Sequence, residues 1–343
     1  MNAITDISHE QRKHARISAS KISRVRLCLG SLLAEEALPP EPAGAAALRG
    51  TVIHELSEHL LLGTDLPEDA DPELLAVAQG YVKAIEDFTQ NIKKRYIELN
   101  VTEALQEVHP ELGGMADFVG VGGGELLVAD LKTGRISVDP EWNPQLMTYA
   151  LGAALTLRAP RDINVRLAIY QPDAGGWKQW FTTMDDLLDW RDTIASTAVE
   201  ALKPNAPRNP STEACRYCRA RSVCPAIREK AVSIAKADFA ADAKITTDSI
   251  EDAKLCQVFA ESVLEKAVAQ LQESPTSIPG WKLREGRKMV KWLDRAMAEA
   301  VLADNKDAWE LKSASAVQKL GVNLPEGIVE ETRSAPSLVK AKE

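Results

Sequence analysis

The sequence predicts an α/β fold, and three observations predict it. Residues 113–149 read as strand, glycine turn, strand, loop and helix. Apolar segments at 96–101, 104–108, 163–170 and 178–182 alternate or run as strands do. Stretches with helical apolar spacing separate them, the clearest being 72–94 and 184–202.

Taken in order, residues 1–17 read as a disordered leader. Ser18 or Ser20 caps a helix through Ile22, Val25, Leu29 and Leu32 to Ala37, with Cys28 inside it. After a proline loop at 39–44, a second helix over 48–62 carries Gly50, Thr51 and His54. His54 lies among apolar neighbours, and by itself reads more readily as a core histidine than as a ligand. Pro72 opens a longer helix through Tyr81, Ile85 and Phe88 to Lys94. The strands at 96–101 and 104–108 then lead into the hairpin, and Glu107 is a weak candidate for the face that holds Asp117.

The hairpin organises the chain. Met115 to Val121 is a half-buried strand, Gly122-Gly123-Gly124 is a turn requiring positive φ, and Glu125 to Leu131 is apolar until Asp130-Leu131-Lys132. Strand alternation puts Asp130 and Lys132 on one face with Leu131 pointing away, and pairing about the turn brings Asp117 towards them. Two carboxylates and an ammonium at one sheet edge form either a divalent-metal site or a polar strand end. The Asp-x-Lys pattern alone says nothing, because Asp242-Ala243-Lys244, Asp252-Ala253-Lys254 and Asp304-Asn305-Lys306 repeat it in solvated or helical contexts. A helix over 142–157 follows, with Gln145 and Tyr149 four apart on one face. Beyond the helix at 184–202 come a proline-rich break (204–210), a cysteine segment and helices at 226–240 and 248–273. A strand-like Pro279-Gly280-Trp281, a short helix at 293–303 and a disordered tail over 332–343 complete the chain.

Composition bounds the function. The 343 residues, 45% apolar, suffice for one large or two smaller domains with a real core. No apolar run approaches the roughly 20 residues that span a bilayer, and the N-terminus has no apolar signal region. The expectation is a cytoplasmic protein without a membrane partner. A net charge of −9 argues against coating nucleic acid by bulk charge. It leaves room for local positive charge, of which Lys93-Lys94-Arg95, the group Arg216, Arg219 and Arg221, and the group Arg284, Arg287, Lys288 and Lys291 are the clusters. Each is more often a solvated face than a phosphate track.

Of five cysteines, Cys215, Cys218 and Cys224 form a Cys-x2-Cys-x5-Cys cluster, which in an intracellular protein points to a metal. A fourth ligand is needed: Cys28 is the natural candidate, with Cys256 or a histidine as substitutes. Zn²⁺ and a [4Fe–4S] cluster both accept four thiolates, and the three-plus-one spacing leans towards iron–sulfur.

In combination these motifs resemble the RecB-like branch of the PD-(D/E)XK nuclease superfamily, in particular members with an iron–sulfur staple such as AddB-type helicase–nuclease subunits and CRISPR-adaptation nucleases. More closely, the chain looks like an uncharacterised phage and prophage family assigned to that branch. Gly50-Thr51-x-x-His54, Gly114-x-x-Asp117, Asp130-Leu131-Lys132-Thr133-Gly134 and Gln145-x-x-x-Tyr149 occur in the family's order, and the cysteine spacing matches as well. The resemblance covers residues 18–230 and extends weakly to 279–283.

It implies a restriction-endonuclease-like core, a central mixed sheet flanked by helices, with the N-terminal helix stapled by the cysteines and a mostly helical extension over 231–331. It implies Mg²⁺ or Mn²⁺ held by His54, Asp117, Asp130 and the Leu131 carbonyl, with Lys132, Gln145 and Tyr149 completing the catalytic group. Cys28, Cys215, Cys218 and Cys224 would hold the [4Fe–4S] cluster, or Zn²⁺ in its place. The activity implied is a metal-dependent DNA exonuclease acting on single-stranded ends in phage replication or recombination, in the host cytoplasm if phage-encoded. A single-strand-binding or recombination protein is the partner expected beside DNA. The alternative is a non-catalytic nucleic-acid-binding or scaffold protein on the same fold. No Gly-x4-Gly-Lys-Ser/Thr motif is present, so the chain itself is no helicase motor.

Overall fold

The computed structural model describes residues 15–40, 44–236, 245–286, 288–292, 295–303, 317, 327, 329–333 and 337–340. It divides into two units, 1–256 and 257–343.

In the first unit β1 (Ile17–Ser18) pairs in parallel with β3 (Leu112–Gly113). Ile17 is fully buried, and Arg16 bridges Glu36 and Glu111. Residues 15–17 are therefore ordered rather than part of a leader, and residues 1–14 lie outside the described residues. The first helix is split into α1 (Ala19–Leu27) and α2 (Ser31–Glu36), and Cys28 sits at the end of α1 rather than inside a helix. The break has a packing cause. A Cβ on Gly30 would come within 2.6 Å of the Ala206 carbonyl, and the Gly30 N–H donates to Pro207 O at 2.9 Å.

Helices α3 (Ala45–Leu62) and α4 (Pro72–Phe88) follow, then β2 (Lys94–Asn100) and α5 (Thr102–Gln106). The strand expected over 104–108 is thus a helical turn, with Ala104 and Leu105 buried. Short apolar runs do not distinguish the two periods. The hairpin β4 (Met115–Gly122) and β5 (Glu125–Leu131) turns through Gly123 and Gly124, both at positive φ as expected. After it come α6 (Pro144–Leu157), β6 (Asn164–Gln171), β7 (Gly176–Thr182), α7 (Met184–Ala201), α8 (Thr212–Arg216) and α9 (Pro225–Ala235). Helix α10 (Thr247–Glu273) then leads out of this unit.

The sheet order is β2-β4-β5-β6-β7, antiparallel except for β5 and β6, which run parallel and are joined by α6. Such a pair needs a crossover, and a helix supplies it. The sheet is accordingly mixed and covered on both faces. One core joins α1, α5, α6 and α7 to Leu126, Val128 and Val165. The other joins α3 and α4 to Phe118, Leu127, Ala129 and Leu131. The carboxyl end of β5 lies between the two layers.

In the second unit β8 (Trp281–Arg284) and β9 (Lys288–Trp292) precede α11 (Arg295–Leu302), and β10 (Val329–Arg333) and β11 (Ser337–Lys340) return to pair with β9 and β8. Residues 332–333 and 337–340, expected in a disordered tail, are therefore ladder strands. Trp292 packs there against Leu302 and Val317. Among the described residues no helix is long and apolar enough to cross a membrane.

Candidate metal centre and cysteine pocket

The Asp-Leu-Lys segment ends β5, and its alternation holds. Leu131 packs into the α3–α4 core, while Asp130 faces α6. Asn143 caps α6 by accepting from the N–H groups of Gln145 and Leu146, with Pro144 as its first residue. The helix therefore begins after Trp142, and Gln145 lies in its first turn beside the strand end. Lys132 Nζ lies 2.7 Å from Asp130 Oδ2 and donates to Gln145 Oε1 at 3.0 Å. Gln145 Nε2 donates to Asp130 Oδ1 at 3.1 Å and to the Tyr149 hydroxyl at 3.2 Å. All four residues thus form one connected network.

Two glycines seat this network. A Cβ on Gly114 would stand 2.9 Å from Tyr149 Cε1, so the tyrosine ring occupies the space that a side chain there would need. A Cβ on Gly50 would stand 3.2 Å from Thr133 Oγ1, which is how α3 lies close over the β5 end. One turn along α3, His54 Nδ1 is 3.3 Å from Asp117 Oδ2, and Asp117 also accepts the Leu131 N–H at 3.0 Å.

Glu98 joins them, although nothing in its local sequence marks it as a ligand. Ligand atoms of His54, Glu98 and Asp117 all lie within 4.8 Å of one another, the one such trio among the described residues. The ladder pairs Ile97 with Phe118 and Leu99 with Ala116, so Glu98 and Asp117 face each other between them. Glu98 has φ of 50°, the left-handed region that non-glycine residues rarely use. Alternation breaks there: Ile97 and Phe118 pack towards α3 and α4, but Leu99 and Ala116 both pack on the opposite side. A period-2 reading of 96–101 could not foresee this. The weak candidate Glu107 instead sits exposed at the end of α5. The expected ligand Asp130 stands next to the trio, engaged by Lys132 and Gln145, and at Leu131 the described contact to Asp117 is made by the N–H.

The electrostatics are those of concentrated negative charge. Burial, and then the Asp130 charge, push Asp117 up to about 6. Burial pulls the Lys132 ammonium down, but Asp130 beside it outweighs that and holds it above the ordinary lysine value. Burial and Asp130 also raise the Tyr149 phenol far above its ordinary value, which keeps it a neutral hydroxyl. Two carboxylates and an imidazole suit a divalent ion of the Mg²⁺ or Mn²⁺ kind. A carboxyl raised this far is one whose charge a cation would offset.

Cys28, Cys215, Cys218 and Cys224 line one small pocket together with Ser31, Ala34 and Ala220. Cys256 does not line it. The Asn209 N–H donates to Cys28 Sγ at 3.2 Å. Burial pushes the Cys215 and Cys218 thiols up to about 11, with neighbouring cysteines adding to it. Glu35 fastens the same junction, accepting from Arg24 at 2.7 Å and from the Arg219 N–H at 2.8 Å. Arg219 is committed further to the carbonyls of Glu35, Leu38 and Pro39, so this member of a basic cluster is structural. Four thiols around one pocket are a donor set that both Zn²⁺ and a [4Fe–4S] cluster accept.

These features define an α/β protein with a helix-flanked mixed sheet and a histidine–carboxylate trio at the end of a central strand. The chain belongs to the family described as protein of unknown function DUF2800, which matches residues 14–340. It is also similar to a solved structure titled "Crystal structure of SSO0001", at 16% identity over 63% of this chain and 88% of that one, with a TM-score of 0.33. A likeness of that size carries no argument about function.

Proposed function

We propose that the chain is a divalent-metal-dependent deoxyribonuclease of the RecB-like PD-(D/E)XK kind, hydrolysing phosphodiester bonds at single-stranded DNA ends in phage or prophage replication or recombination. The observation that carries this reading is the trio of His54, Glu98 and Asp117 beside the network of Asp130, Lys132, Gln145 and Tyr149. His54, Glu98 and Asp117 would hold Mg²⁺ or Mn²⁺, which when bound polarises a phosphate oxygen and makes water more acidic. Asp130 favours the ammonium form of Lys132 in the metal-free chain, so its part would be to stabilise negative charge developing on the phosphate. Gln145 fixes the lysine, and Tyr149 fixes Gln145. Cys28, Cys215, Cys218 and Cys224 would hold a [4Fe–4S] cluster with a structural role, binding the turn after α1 to the cysteine segment.

The test is hydrolysis of end-labelled single-stranded DNA with Mn²⁺ by anaerobically purified protein, beside Asp117→Ala and Lys132→Ala. Nucleotide release by the wild type alone, with both variants folded, is the expected result. DNA binding without release by a folded, metal-loaded wild type would replace the enzyme with a non-catalytic nucleic-acid-binding protein.

A further inference from the structure

The segment between Lys132 and α6 carries a feature that hydrolysis does not require. Trp142 is 53% exposed and adopts φ of 48°, in a region that a bulky side chain occupies only when its surroundings hold it there. The surroundings do so. The Asp139 side chain accepts the Glu141 N–H, the Asp139 carbonyl accepts Asn143 Nδ2, and the Asn143 N–H donates to Pro140 O. The indole leans on Trp180 of β7 at a centroid distance of 5.0 Å and an interplanar angle of 51°, and Trp180 is itself packed against the main core. A single exposed aromatic is ordinary. A tryptophan held out by a left-handed main chain and backed by a second, anchored tryptophan is a rigid aromatic surface.

Its location connects it to the site. Gln145, which holds Lys132, is three positions after Trp142, and three residues of chain span at most about 11 Å. We propose that Trp142, supported by Trp180, is a stacking platform for an unpaired base of a single-stranded nucleic acid whose phosphate backbone meets the Lys132 site. The proposal rests on the nucleic-acid part of the reading above and adds a substrate class and a specificity residue to it. A stacked base is not available from an intact duplex, so the platform selects frayed or single strands over paired ones. Every base has a π-face, so it does so without sequence preference.

The experiment measures binding and not turnover. Anisotropy of a labelled oligothymidylate is titrated with the full chain in Ca²⁺, using wild type, Trp142→Ala and Trp142→Phe, against a set of oligonucleotides with one abasic site moved along the strand. The expected result is an about ten-fold loss of affinity in Trp142→Ala, most of it restored by Trp142→Phe. One abasic position should weaken the wild type by a similar factor and leave Trp142→Ala unaffected, which a merely structural role for the tryptophan would not produce. Equal affinities of wild type and Trp142→Ala, or equal abasic penalties in both, overturn the platform while leaving the nuclease reading intact. Binding with the expected pattern but no hydrolysis in Mn²⁺ keeps the platform and removes the enzyme. A wild type that binds no oligonucleotide removes both.

Discussion

Asp117→Asn should stabilise the metal-free protein. In the folded chain Asp117 is raised from 3.8 to about 6, mainly by burial and then by Asp130. The folded state therefore holds a proton that the unfolded chain releases at lower pH. Below about pH 4 the carboxyl is protonated in both states and costs nothing. As pH rises from about 4 through about 6 the unfolded chain ionises first, and stability falls. A difference of about two pKa units corresponds to up to about 3 kcal/mol lost above pH 6. Asparagine keeps an oxygen for the Leu131 N–H, now accepted at 3.0 Å, and carries no charge. Urea unfolding in EDTA at pH 7.5 should place the variant above the wild type by up to that amount, with the gap closing towards pH 4.5. With millimolar Mn²⁺ the order should reverse, because binding to the folded wild type adds stability by mass action. A variant less stable than wild type in EDTA at pH 7.5 would refute the argument that Asp117 is held in an environment hostile to its charge.

Glu98→Gln should weaken Mn²⁺ binding by about ten-fold or more in calorimetry, as losing a ligand-site partner commonly does; unchanged affinity would remove Glu98 from the metal site. Anaerobically purified protein should be brown with iron and sulfide bound, Cys215→Ser should lose that colour, and Cys256→Ser should keep it, whereas a colourless, zinc-containing wild type would exclude the iron–sulfur assignment. Gly114→Val should cost about 1–3 kcal/mol by forcing Tyr149 aside, read as a lowered unfolding midpoint in urea at unchanged slope; a fully stable variant would show that the 2.9 Å approach of a Cβ there is easily relieved.

What the sequence determined by itself was the local chemistry and most of the elements. The glycine turn, the apolar strand ending in Asp130 and Lys132, and the Gln145–Tyr149 helix face are all properties of neighbouring residues, and each lies where its spacing requires. The three cysteines of the 215–224 segment were legible for the same reason. Only the tertiary structure added Glu98 to its group and shows how the distant residues of each group meet. Glu98 joins His54 and Asp117 because its left-handed main chain breaks the strand's alternation opposite Asp117. Cys28 reaches the cysteine pocket because Gly30 lets the turn after α1 touch residues 206–208. Residues 104–108 form a helical turn, and 332–333 with 337–340 form strands, because packing and pairing partners far along the chain override short-range pattern. Periodicity reports which residues share a face of one element. A main-chain exception within an element, or the approach of two elements more than a hundred residues apart, depends on the packed whole.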